Sequence, residues 1–323
     1  MEIILTRYLY VKDEVLFSLW KAIIFKQIDE ALFWGYEYYY SGYKDELIIF
    51  LIKIYYEIYS IFNPHFEQFL VEIICEWCKN KNKAWLIGTI IDNITRRTAA
   101  YDVFNFNNSE KYYYEDFTPL SLNPADKVGV LNEKKCKDNP LFTEIMKVKL
   151  CNNDMEFIQW FESFIIEDTR KEELTDNIKN ITYLLTRIMP EQNIKNDSII
   201  RTIIKNLTIS FLFRLLYKSP NERKFYIFLQ DDDIKEYKNI MHVPGKSRKN
   251  FAITHKYKII IDCKKIFSFS REQQTMVEYY TMTEKWLYYS SSTPIWKKRI
   301  IKYSGIIDEI NKTVLFENDD FYN

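Results

Sequence analysis

Over the first hundred residues, apolar positions recur at helical spacing and are separated by very short polar links. Val15, Leu16, Leu19, Trp20, Ile23 and Ile24 fall at i, i+1, i+4, i+5, i+8 and i+9, one stripe of a helix that Asp13 can cap. Asp29-Glu30 opens a second helix through Leu32, Phe33, Tyr36 and Tyr40, with Gly42 in the C′ position. A third helix is predicted from Glu46 to Phe62. Asn63-Pro64 stops it and starts a fourth, through Phe66, Phe69, Leu70, Ile73, Ile74 and Trp77. The fifth carries Trp85, Leu86, Ile90, Ile91 and Ile94. Links this short make consecutive helices antiparallel. The prediction for residues 1–100 is therefore an irregular, α-solenoid-like helical array without a clean repeat period.

The pattern breaks over Tyr101 to Pro140, rich in Asn, Asp and Pro, and residues 101–153 are predicted to be an irregular connection. Its aromatics, Phe104 and Phe106 among them, are costly to leave in water, so the segment should pack along the helical body. Residues 154–323 are predicted to form a C-terminal helical lobe. It holds helices over Asp154–Glu167 and Lys171–Met189, then a long one that Asp197-Ser198 caps, with later helices over Arg271–Tyr289 and Ile295–Tyr303. Phe225–Leu229 and Tyr257–Ile261 read as short extended runs, and 305–316 as a small hairpin pairing Ile306-Ile307 with Val314-Leu315-Phe316. The expected class is mainly α with minor β structure.

Composition narrows the chemistry. Six glycines in 323 residues fall well below the usual share of about 7%. That argues against nucleotide-binding folds and barrels, which need tight turns and close backbone approach. Lys+Arg and Asp+Glu are both 45, so any nucleic-acid binding has to come from a local patch. Five scattered cysteines make no disulfide framework and point to a reducing compartment. No secretory leader is legible at the N-terminus, and the most apolar run, 47–62, is interrupted by Lys53 and Glu57.

The individual motifs are weak. Cys75 and Cys78 have metal-knuckle spacing but lack a second pair and sit in a predicted helix, so they read as a helical face. Gly245-Lys246-Ser247 resembles the end of a phosphate-binding loop, yet Ile240 stands where that loop needs glycine. Asp231-Asp232-Asp233 reads as a cap ahead of Ile234. With three histidines and no nucleophile or metalloprotease pattern, no catalytic, metal or cofactor-binding residue is assigned and no cofactor is expected. Two candidate sites remain. Lys246, Arg248, Lys249, Lys297, Lys298 and Arg299 form a candidate nucleic-acid patch near Tyr288, Tyr289 and Trp296. Tyr183, Ile188 and Met189 form a candidate partner-binding helix, similar to the Tyr-x4-Leu-Φ helix by which translation scaffolds hold the cap-binding protein.

Two stretches, Lys12–Glu46 and Trp286–Tyr322, resemble an uncharacterised protein family of the nucleocytoplasmic large DNA viruses. The resemblance implies expression in the host cytoplasm or viral factory and assigns no residue a role. The expected function is a non-enzymatic scaffold or adaptor that binds a protein partner, with a translation-initiation scaffold as one specific form. The alternative is a nucleic-acid-binding accessory factor in viral replication or transcription. No membrane partner is expected.

Overall fold

Helix α1 (Lys12–Ile24) and helix α2 (Ile28–Tyr40) pack on each other. Val15, Leu19 and Ile23 of α1 are buried, and α2 is buried on every face from Ala31 to Tyr39, so it runs through the core rather than along its surface. Asp13 sits inside the first turn of α1, where it favours the helix dipole, and the N-cap is Val11. Gly42 has φ +102 and closes α2 with a Schellman turn, in which the Tyr43 N–H donates to the Tyr38 carbonyl.

The computed structural model describes residues 3–108, 139–189, 194–217, 225–238, 281 and 284–316. Among them the architecture is mainly α-helical with one two-stranded hairpin. The chain divides into two units, Met1–Leu47 with Gln230–Asn323, and Ile48–Leu229. Within the second unit, helices on both sides of residues 101–153 share one core.

The first unit holds α1, α2 and the start of α3 (Lys44–Ile54), together with α11 (Lys235–Lys238), α12 (Trp286–Ser290), α13 (Pro294–Lys302) and the hairpin. Its two chain segments interlock. Tyr36 stacks on Tyr237 with centroids 5.2 Å apart. Arg7 donates to the Tyr237 and Lys238 carbonyls at 2.9 and 2.8 Å. Strands β1 (Ile306–Asp308) and β2 (Thr313–Leu315) pair antiparallel, with Ile306 opposite Leu315, within the hairpin expected over 305–316.

In the second unit, α3 passes into a π-helical turn, Tyr55–Tyr59, and Asn63 ends it by donating its side-chain amide to the Tyr59 and Thr98 carbonyls. Helices α4 (Phe66–Lys79) and α5 (Ala84–Arg96) follow. The predicted irregular segment begins with a helix instead, α6 (Asp102–Asn108), because Val103, Phe104 and Phe106 find burial against the π turn and the long helix α10. Helices α7 (Pro140–Leu150), α8 (Asp154–Ser163), α9 (Asp168–Ile188) and α10 (Ile194–Leu216) complete the unit. Ile203, Leu207, Ile209, Phe211, Leu212 and Phe213 are buried around α10, which makes it the central element against which α6, α7, α9 and the π turn pack. Residues 225–230 carry no helix, turn or strand pairing among the described residues. No helix among the described residues is long and apolar enough to cross a membrane.

Candidate functional site

A groove of about 820 Å³ opens in the second unit between the first half of α4, the middle of α9 and the end of α10. The Pro64 helix start places His65, Glu67, Gln68 and Glu72 on one wall. Helical spacing on α9 places Arg170, Glu173, Asn177 and Asn180 on a second wall, at i, i+3, i+7 and i+10. Arg214 and Tyr217 close the third.

The charges are largely paired inside the groove. Glu173 accepts from Arg214 Nη2 at 2.7 Å and from Arg170 Nη1 at 2.9 Å. Gln68 Nε2 donates to Glu72 Oε1 at 2.9 Å. Glu67 is held as an acid: burial raises its pKa to about 7, against the pull of Arg214 and of the neighbouring Tyr56 hydroxyl, with Glu173 adding to the rise. Behind the groove Asp102 is also lifted by burial, to about 6, with Tyr217 drawing it down. A carboxyl that titrates near neutrality can give or take a proton at physiological pH, and it faces amides and guanidinium groups that bind polar ligands.

The sequence candidates lie elsewhere. Tyr183 is 59% exposed and carries Arg187 over its ring at 5.7 Å, whereas Ile188 is 1% exposed in the core and Met189 is half-buried. The three therefore present no common face. Their helical register turns Ile188 inward beside Leu184 and Leu185. Lys297, Lys298 and Arg299 are exposed on α13, and the Arg299 guanidinium covers Trp296 at 4.9 Å. Lys246, Arg248 and Lys249 lie outside the described residues, as do the Gly245 motif and Tyr257–Ile261. Cys75 and Cys78 are half-buried on α4, and no group of three or more His, Cys, Asp or Glu among the described residues is placed to hold a metal ion. The aspartate run makes a turn ahead of α11, in which Asp233 accepts from the Gln230 N–H at 2.7 Å and Asp232 pairs with Lys235 at 2.5 Å.

The groove residues carry no signal in one dimension, because they come from three separated segments. Thr89 and Asn93 do leave a trace. They interrupt the apolar face of the fifth helix, and a polar side chain placed there has to find a partner. No family model matches the chain, and comparison with curated proteins and with solved structures found no match.

Proposed function

We propose that the protein is a non-enzymatic helical scaffold or adaptor, and that the groove between α4, α9 and α10 receives a polar segment of a protein partner. The observation that carries this reading is the lining of the groove. Glu173 of α9 holds Arg170 and Arg214, and α4 sets Glu67 and Glu72 opposite them, beside the amides of Gln68, Asn177 and Asn180. Such a surface accepts a peptide of mixed charge by exchanging ion pairs, with little desolvation penalty. Its carboxylates Glu72 and Glu173 are engaged, which leaves Glu67 without a second carboxylate set up for acid–base work.

The test places a photo-crosslinking side chain at Asn177, with the same group at Glu162 on α8 as control. One partner adduct should form from Asn177 alone and should vanish when Glu173→Arg is added. Identical adducts from both positions would refute the reading. A translation-initiation setting in a large DNA virus is the specific form, and it requires the adduct to be a cap-binding or helicase factor. It draws no support from the Tyr183 helix, since Ile188 lies in the core.

A second reading, a nucleic-acid accessory factor, is favoured by the exposed row Lys297, Lys298, Arg299 and Lys302 on α13. Replacing Lys297, Lys298 and Arg299 by Glu should then abolish salt-sensitive binding of labelled RNA or DNA. Unchanged affinity rejects the patch.

A further inference from the structure

Residues 225–229, which belong to no helix, turn or strand among the described residues, are held to the helices of the second unit by side chains. The Ile227 N–H donates to Asn93 Oδ1 at 3.0 Å, and Asn93 Nδ2 donates back to the Ile227 carbonyl at 2.6 Å. Two residues on, the Leu229 N–H donates to Thr89 Oγ1 at 3.1 Å. The match is geometric. Residues four apart on a helix advance about 6 Å, and residues two apart in an extended chain advance about 6.6 Å. Thr89 and Asn93 therefore read a peptide backbone in register, as a sheet neighbour would, and this reading is indifferent to sequence.

Specificity comes from two rings, Tyr226 and Phe228, the latter edge-on to Phe69 at 5.5 Å. Tyr226 stacks on Phe69 with centroids 4.2 Å apart and planes 8° from parallel, and the Arg97 guanidinium covers it at 5.0 Å. The same guanidinium covers Phe66 at 4.2 Å, so the slot is walled by α4 and α5 and by Arg97 just beyond α5. The occupant is lightly held. Phe225 is 73% exposed and Phe228 is 55% exposed, while Asn93, Thr89 and Arg97 beneath are buried. A segment fixed by hydrogen bonds and ring contacts along one side, with Phe225 and Phe228 more than half exposed, belongs to the part of a fold that opens most readily.

We propose that the Thr89–Asn93 face of α5, with the Phe66–Phe69–Arg97 slot, is a receptor for a peptide in which aromatic and aliphatic residues alternate, and that residues 225–229 occupy it in cis until a partner segment displaces them. The proposal supplies a second contact to the scaffold reading but uses different residues, so either can fail alone. The cis segment keeps the receptor closed to weak ligands, and its own sequence, Phe-Tyr-Ile-Phe-Leu, states the ligand class.

The probe is a fluorescein-labelled synthetic peptide with the sequence of residues 222–231. An opened full-length chain, Tyr226→Ala with Ile227→Pro, loses both the ring and the N–H that Asn93 accepts. It should bind the probe at least tenfold more tightly than the native chain, and Asn93→Ala on the opened background should remove that gain. A folded opened chain that binds no better than the native one overturns the proposal, as does binding indifferent to Asn93. Should the opened chain not fold, hydrogen exchange on the native chain decides. Saturating peptide should raise exchange over 225–229 and lower it in α5, and unchanged exchange overturns the proposal. A concentration-dependent dimer of the opened chain with no probe binding would assign the face to a second copy and likewise overturn it.

Discussion

Glu67 offers the most direct check of the groove's electrostatics. Burial raises its carboxyl from 4.5 to about 7 in the folded chain. The folded state therefore holds the proton more tightly than the unfolded state. The associated stability is fully present below pH 4.5 and is lost as the pH rises through 7. For a fully enclosed carboxyl the loss between pH 5 and pH 8 is about 2.5 kcal/mol. Glu67 borders an open groove, and screening by water reduces its share to about 1.5 kcal/mol. Glu67→Gln keeps the shape and removes the titration, while Arg214 keeps Glu173 as a partner. Urea unfolding followed by tryptophan fluorescence at the two pH values gives the drop for each protein. Other carboxyls raised by burial, Asp102 and Glu57 among them, make the native drop larger than this share. They contribute equally to the variant, so the difference between the two drops isolates Glu67. The variant's drop should be smaller by about 1.5 kcal/mol, the share worked above. Equal drops within about 0.5 kcal/mol would refute the burial argument.

Asp102→Asn should likewise flatten the pH dependence, but in a lower window, between 3.8 and about 6, since burial raises this group too; urea midpoints at pH 4 and pH 7 check it. Arg7→Ala strands Glu37, whose side chain is fully buried and held at 2.9 Å by Arg7, and should cost about 3 kcal/mol, read as a lowered thermal midpoint. Gly42→Ala combines a left-handed backbone with a Cβ 2.9 Å from Pro294 and should cost about 1–2 kcal/mol; an unchanged melting curve would contradict the assigned turn.

Local features were the legible ones. Gly42 as a helix terminator, Asn63-Pro64 as a boundary and the Ile306–Leu315 pairing each depend on a few adjacent residues, and each stands where backbone chemistry places it. The third helix was extended too far as an α-helix, because an inserted residue at Tyr55–Tyr59 changes the hydrogen-bond step without altering the apolar pattern. Phe104 and Phe106 were expected to be covered, and they are, but by a helix where composition suggested irregular chain. The groove was invisible because Glu67, Glu173 and Arg214 meet only after α9 and α10 fold back on α4. Phe225–Leu229 read as extended; it joins no strand among the described residues, and its partners, two side chains of a helix, have no counterpart in strand periodicity.

The first unit joins Met1–Leu47 to residues beyond Gln230. On the ribosome, Tyr36 and Gly42 leave the exit tunnel long before Tyr237 and Pro294, the groups that cover them, have been synthesised. The contiguous stretch 48–229 can mature during translation, whereas residues before 48 wait for residues beyond 230. Synthesis thus runs against assembly in this half, and its opening helices pass through an interval of aromatic exposure in which a chaperone has its natural place.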